Sequence, residues 1–223
     1  MINAFCENIG VSRKGNENIT SIKLLEKFAR TDLDRDAPRT FGVVDPVLLK
    51  IVNLDAAKET KIKAPLFPAD PTRGTQTYTL TDGVYIEAED FSETSRDKKF
   101  FGLSPDQPVC LKYGPVVKLV SVEKNPDGSI NHAKVEILPD FSEKLKGYLH
   151  WVSESHAMTV TLNLYSVHFL IEDIKKAGDK WLEQVNPDSH IVRSNAKMWN
   201  IHKKNKLDDR FQFERVGYFV INE

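Results

Sequence analysis

The sequence predicts a mainly β fold entered through a short helical segment, and three observations carry that prediction. From Met1 to Asp36 the apolar residues recur at helical spacing. From Phe41 onward, short runs rich in Val, Ile, Thr, Tyr and Phe are separated by turn-forming residues. Only one later stretch, around Glu172 to Val185, returns to a helical pattern, with Ile174, Ala177, Trp181 and Leu182 on one side. Many short antiparallel strands with few helices favour one or more closed barrels, which leave no sheet edge exposed.

Each element follows from local chemistry. Thr20 or Ser21 can cap a helix whose Ile22, Leu24, Leu25, Phe28 and Ala29 form one buried face. Asp36-Ala37-Pro38-Arg39 ends it, because proline pushes its predecessor out of helical geometry. Strands are expected at Val43-Val44, Leu48 to Val52, Thr75 to Leu80, Val84 to Glu87, Val116 to Val122 and Ala133 to Leu138. Further strands are expected at Tyr148 to Val152, Met158 to Leu164 and Phe211 to Ile221. Asn125-Pro126-Asp127-Gly128 predicts a hairpin, since proline presets one torsion and glycine accepts a positive φ. No internal repeat or low-complexity tract is visible.

Composition narrows the function classes. Hydrophobic residues make up 40% and charged residues 28%, ordinary for a soluble globular protein. The 31 Lys and Arg balance 32 Asp and Glu for a net charge of -1, so any nucleic-acid site has to be a local basic patch. Two cysteines, Cys6 and Cys110, give no disulfide framework and fit a reducing, cytoplasmic setting. The apolar runs are too short to span a membrane. Met1 to Cys6 has no basic region followed by an apolar stretch, so it is not read as a signal peptide but as a helix entered midway.

Catalytic machinery is not evident. There is no Gly-rich phosphate loop, no zinc-spaced Cys/His cluster, and no nucleophile elbow around the serines between His150 and His156. Those histidines read as structural. Glu87, Glu89 and Asp90 read as a solvated strand end. What remains is a set of basic residues among strands and aromatics: Arg13-Lys14, Arg96-Asp97-Lys98-Lys99 before Phe100-Phe101, Lys112-Tyr113, and His202 to Lys206. Together they suggest a β-scaffold that reads single-stranded RNA, with bases stacked on aromatics and their edges read by Arg, Lys and Gln. In Phe211-Gln212-Phe213-Glu214-Arg215, strict alternation puts Arg215 on the aromatic face, which is costly unless the chain re-aims it or an acceptor meets it. It either pairs with Glu214 or Asp209, or stands beside Gln212 to bond a base.

These residues carry a resemblance. Asp36 to Val47 resembles the junction where the helical subdomain of glutaminyl-tRNA synthetases meets the first anticodon-binding barrel. Gly147 to Ala157, GYLHWVSESHA, is similar to that family's HWVS-x-x-HA segment, and Phe211 to Phe219, FQFERVGYF, to its late barrel strand. The resemblance covers nearly the whole chain in order. It implies a helical connector at 1–36, then two L25-like β-barrels over 37–223, the chain passing from the first to the second and back. It also implies a further closing strand beyond Glu223.

The function implied is recognition of the anticodon stem-loop of glutamine tRNA within a glutamine–tRNA ligase. The HIGH- and KMSKS-type motifs that use ATP and Mg belong to a Rossmann domain that this sequence does not contain, so the chain itself is expected to be inactive and free of cofactor. By position, Arg39, Gln212 and Arg215 match residues around the middle anticodon base. Cys110 and Lys112 fall where the bacterial pattern has two arginines around the first base, a departure that replaces planar forks with a thiol and a point charge. Lys98 and Lys99 lie near the third-base region, and Arg13 and Lys14 in the loop facing the inner corner of tRNA. A monomer is implied. The nearest rival is the archaeal and eukaryotic glutamyl-tRNA synthetase type, against which the HWVS and FQFER segments weigh. A β-barrel protein-interaction module is the rival from another class.

Overall fold

The computed structural model describes residues 1–10, 20–55, 57–97, 99–200 and 206–222. It opens with helices α1 (Ile2–Ile9) and α2 (Ile22–Asp36), joined by an edge-on contact of Phe5 and Phe28 at 6.0 Å. Ser21 caps α2, its hydroxyl accepting the Lys23 N–H at 3.4 Å, and extended Ala37 stops the helix before Pro38.

Strands follow: β1 (Arg39–Thr40), β2 (Gly42–Val43), β3 (Pro46–Ile51), β4 (Thr60–Pro65), β5 (Thr75–Leu80), β6 (Gly83–Glu87), β7 (Val109–Leu111) and β8 (Val116–Lys124). Then come β9 (Ile130–Ile137), β10 (Tyr148–Leu149), β11 (Val152–Ser153), β12 (Ala157–Tyr165), β13 (His190–Trp199), β14 (Arg210–Phe213) and β15 (Gly217–Val220). The fold is mainly β, 41% strand against 21% helix, as the sequence predicts.

Two topological facts position the site. Residues between β3 and β11 supply a seven-stranded sheet in the order β10-β7-β8-β9-β3-β6-β11, curled into a half-barrel, with β4 and β5 as a separate pair. In contrast, β1 and β2 pair with strands from the far end of the sequence. Arg39 lies opposite Gln212 in the parallel β1–β14 pair, and Val43 opposite Lys197 in the β2–β13 pair. The large core holds Phe41, Leu49, Ile86, Leu111, Leu149 and Trp151. A smaller one joins Leu162, Ala196, Met198 and Phe213. The two run together at Gly42, where any side chain would collide with the Phe213 ring.

The predicted hairpin forms, with the Gly128 N–H donating to Asn125 O at 2.9 Å and Gly128 at φ 84. The predicted late helix is instead a 3₁₀ segment, Ile174–Gln184, broken at Gly178, whose φ of 53 is incompatible with continuing a helix. Strands β1, β4, β7 and β13 lie outside the sequence prediction. Among the described residues no helix is long and apolar enough to cross a membrane.

Candidate nucleic-acid interface

The β1–β14 pairing decides where the basic residues meet. The Gln212 N–H donates to Pro38 O at 3.0 Å and the Glu214 N–H to Thr40 O at 3.1 Å, which fixes the register. In that register the Arg39 Nε donates to Gln212 Oε1 at 2.9 Å. With its oxygen taken, the Gln212 amide keeps its NH₂ as donor, and the Arg39 terminal nitrogens remain available.

The turn after β7 brings in the next cation. The Lys112 N–H donates to Leu149 O at 2.8 Å, and the Trp151 indole N–H donates to Lys112 O at 3.1 Å. Trp151 is fully buried, so the large core sets the backbone on which Lys112 sits. Tyr113 adopts φ 64, a left-handed conformation unusual for a bulky residue, and stacks on Phe41 at 6.2 Å. The Lys112 ammonium pairs with Glu214 and lies 5.5 Å from the Tyr113 ring centroid. An Arg39 terminal nitrogen lies 4.0 Å from the same carboxylate, and the Tyr113 hydroxyl donates to it at 3.4 Å. Burial, then the Glu214 charge, pushes the Tyr113 pKa up, which keeps this hydroxyl a donor. The structure thus gathers Arg39, Gln212 and Lys112 into one array.

Arg215 goes elsewhere. It sits in the turn between β14 and β15 at φ 68, so the alternation that would have aimed it with Phe211 and Phe213 stops at Phe213. Its two terminal nitrogens bond both Asp90 oxygens, at 2.6 and 2.8 Å. The guanidinium pKa is raised by that hydrogen bonding. The acceptor is neither Glu214 nor Asp209, the two partners the sequence offered. The expectation of a solvated acidic cluster holds for Glu89, which is exposed, and is corrected for Asp90 and Glu87, which are buried. Glu87 accepts the backbone N–H groups of Val44 and Asp45 at 2.7 and 3.0 Å and contacts His150 Nε2 at 3.2 Å. Burial pushes its pKa up, but the His150 bond and the two backbone donors outweigh this and hold it below the ordinary value.

Cys110 is half-buried, its Sγ 3.3 Å from Leu111 O and 3.5 Å from Gly114 O, and burial pushes the thiol pKa up. Two residues upstream of Lys112, it flanks the array without joining it by any bond among the described residues. Lys99 lies in a separate loop, where its N–H donates to Asp97 Oδ1 at 2.9 Å near Arg96, itself 5.6 Å over the Phe100 ring. Lys98, Arg13, Lys14 and most of the His202–Lys206 run lie outside the described residues. The HWVS histidine is structural, as expected. His156 likewise stacks on Trp199 at 5.2 Å.

Sequence reasoning set Tyr113 beside Lys112 and Asp90 beside Glu87, but missed Glu214 as the acceptor that Lys112 and Tyr113 share, and the pairing of Arg215 with Asp90. In the sequence Glu214 stands beside Arg215 and reads as its partner; only its burial obliges it to find others.

Comparisons with known proteins place the chain in a family. Residues 37–138 and 148–222 each match a family described as tRNA synthetases class I (E and Q), anti-codon binding domain. The chain is similar to a glutamine–tRNA ligase of Ralstonia nicotianae, 38% identical over 228 residues, covering 98% of this chain and 38% of that protein. It is similar also to a probable glutamine–tRNA ligase of Dictyostelium discoideum, 37% identical over 225 residues, covering all of this chain and 28% of that protein. The chain therefore spans less than two fifths of the length of these curated relatives.

Proposed function

We propose a function from the family to which this chain belongs, the anticodon-binding domains of class I tRNA synthetases for glutamate and glutamine: it reads the anticodon loop of glutamine tRNA within a glutamine–tRNA ligase. The observation that carries this reading is the array of Arg39, Gln212 and Lys112, three donors from distant segments held side by side at the junction of β1, β14 and the β7 turn. A middle uracil offers two carbonyl acceptors, which the Arg39 nitrogens and the Gln212 amide can meet. Arg215 supports the same turn from its seat on Asp90. Lys112, with Cys110 beside it, faces the first base as a flexible point charge that follows an oxygen common to cytosine and uracil.

Lys98 and Lys99 serve the third base, and Arg13 and Lys14 the inner corner of the tRNA. ATP-dependent charging belongs to the full-length ligase and its catalytic domain, in the cytoplasm, with this region acting as a monomer and making no aminoacyl bond. The experiment is affinity for a glutamine-type anticodon stem-loop against glutamate-type and unrelated loops, at fixed and stated salt. Preference for the glutamine loop is expected. Equal affinity for all three overturns the reading, and preference for the glutamate loop transfers it to the sister enzyme.

A further inference from the structure

Glu214 is 3% exposed, yet its carboxylate meets donors from two separate segments. Arg39 reaches it from β1 at 4.0 Å. The turn after β7 supplies both Lys112, as an ion pair, and the Tyr113 hydroxyl at 3.4 Å. Its own N–H is anchored on Thr40 O. The two cations are 33% and 26% exposed, so each keeps an accessible side while sharing one buried anion. Two positive charges on one carboxylate leave the group with one net charge. A charge this far from water interacts more strongly with its neighbours than a surface pair does.

We infer that Glu214 is a positioning residue that couples the first-base and middle-base readers by holding Lys112 and Arg39 on a single carboxylate. This rests on the anticodon-reading function proposed above. A base that draws Lys112 outward loosens it from Glu214, and the carboxylate then turns its charge toward Arg39. The converse holds for a base that engages Arg39. Recognition of the two positions is thereby non-additive, because coupling is expected wherever two side chains share a partner. The same carboxylate halves the charge that the pair presents to phosphate, favouring hydrogen-bonded readout over unspecific attraction.

The test is a double-mutant cycle of Lys112→Ala and Arg39→Ala on affinity for the cognate stem-loop, run with glutamate at position 214 and again with Glu214→Gln. The Gln substitution keeps the shape and an oxygen for Tyr113 but removes the charge. In the parent the two losses should be non-additive by about threefold or more, and in the Glu214→Gln background additive. Glu214→Gln should also steepen the fall of affinity with salt, since two cations are then uncompensated. A purely structural Glu214 would lower the melting temperature and leave the coupling in place. Coupling absent in the parent, or unchanged by Glu214→Gln, overturns the inference. A parent that does not discriminate among loops sinks the anticodon reading itself, which keeps the two failures apart. Should Glu214→Gln fail to fold, Glu214→Asp, which withdraws the charge by one methylene, must reduce the coupling, and unchanged coupling again overturns it.

Discussion

Two buried acidic clusters in this molecule use the same chemistry to opposite ends. Around Asp90 and Glu87, each buried carboxylate has close and matched partners. Arg215 closes a two-bonded fork on Asp90, and Glu87 is met by His150 and two backbone N–H groups. Around Glu214, one carboxylate serves two cations from separate segments, one of them at 4.0 Å, and both cations remain partly exposed. A matched cluster holds the fold together with its close bonds already made, although Arg215 keeps 36% of its side chain exposed. An undermatched one is poised for a partner, since its donors are placed but not consumed.

The largest effect should come from breaking the matched cluster. Glu87→Ala strands two backbone donors and His150 in a buried site, a loss of about 2–5 kcal/mol in urea unfolding. Discrimination among stem-loops should survive in the folded fraction. The same group sets an acid limit. Its folded pKa lies below the ordinary 4.5, so its stabilisation is present above that value and is lost as pH falls through the folded value. Melting temperature should drop on acidification below about pH 4.5, and Glu87→Gln should flatten that part of the curve. A Glu87→Gln profile identical to the parent's would remove Glu87 from the matched group.

Next in size is the contrast between two arginines. Arg39→Ala should cost about 1–3 kcal/mol toward the cognate loop and flatten its preference over a middle-base variant, with little change in melting temperature. Arg215→Ala leaves Asp90 buried and unpaired, so it should lower the melting temperature and shift affinity for all loops together. If Arg215→Ala instead flattens the middle-base preference in a protein of parental stability, Arg215 belongs to the reading array and the boundary between the clusters is misdrawn.

The smallest effect is a near-equality. Lysine reaches an oxygen by rotating a flexible stem, and the half-buried Cys110 thiol offers only a weak donor, so loops beginning with cytosine or uracil should bind within about tenfold, roughly 1.4 kcal/mol. A larger ratio would show that something other than Lys112 and Cys110 reads the first base. Cys110→Arg, if it folds, should tighten binding. A collapsed melting temperature would place Cys110 in the core of its strand.

Much of the frame was legible in the sequence because its causes are local. The Ser21 cap, the stop at Pro38, the Asn125–Gly128 hairpin and the aromatic alternation of Phe211 and Phe213 all act within a few residues. Other features were not legible, and three of them show the physical reason. Strand β13 is studded with Arg193 and Lys197, so its pattern does not alternate cleanly. The segment around Trp181 has helical spacing, but Gly178 breaks it. Arg215 and Asp90 lie 125 positions apart, and no periodicity links them. Of the site, the basic residues could be picked out by type, but not the anion that organises them. That depends on burial, which only the closed pairing of β1 with β14 creates.

That pairing also has a temporal side. Arg39 and Gln212 are separated by 173 positions, the whole half-barrel lying between them. On a ribosome adding about 5–20 residues per second, Arg39 is made roughly 9–35 seconds before its amide partner. Lys112 is likewise complete before Glu214 is translated. The seven-stranded sheet needs nothing beyond β11 for its own strand pairs. Assembly order is thus written into the topology: the strands of the sheet can pair while the chain is still growing, and the donor array comes into being only with β14.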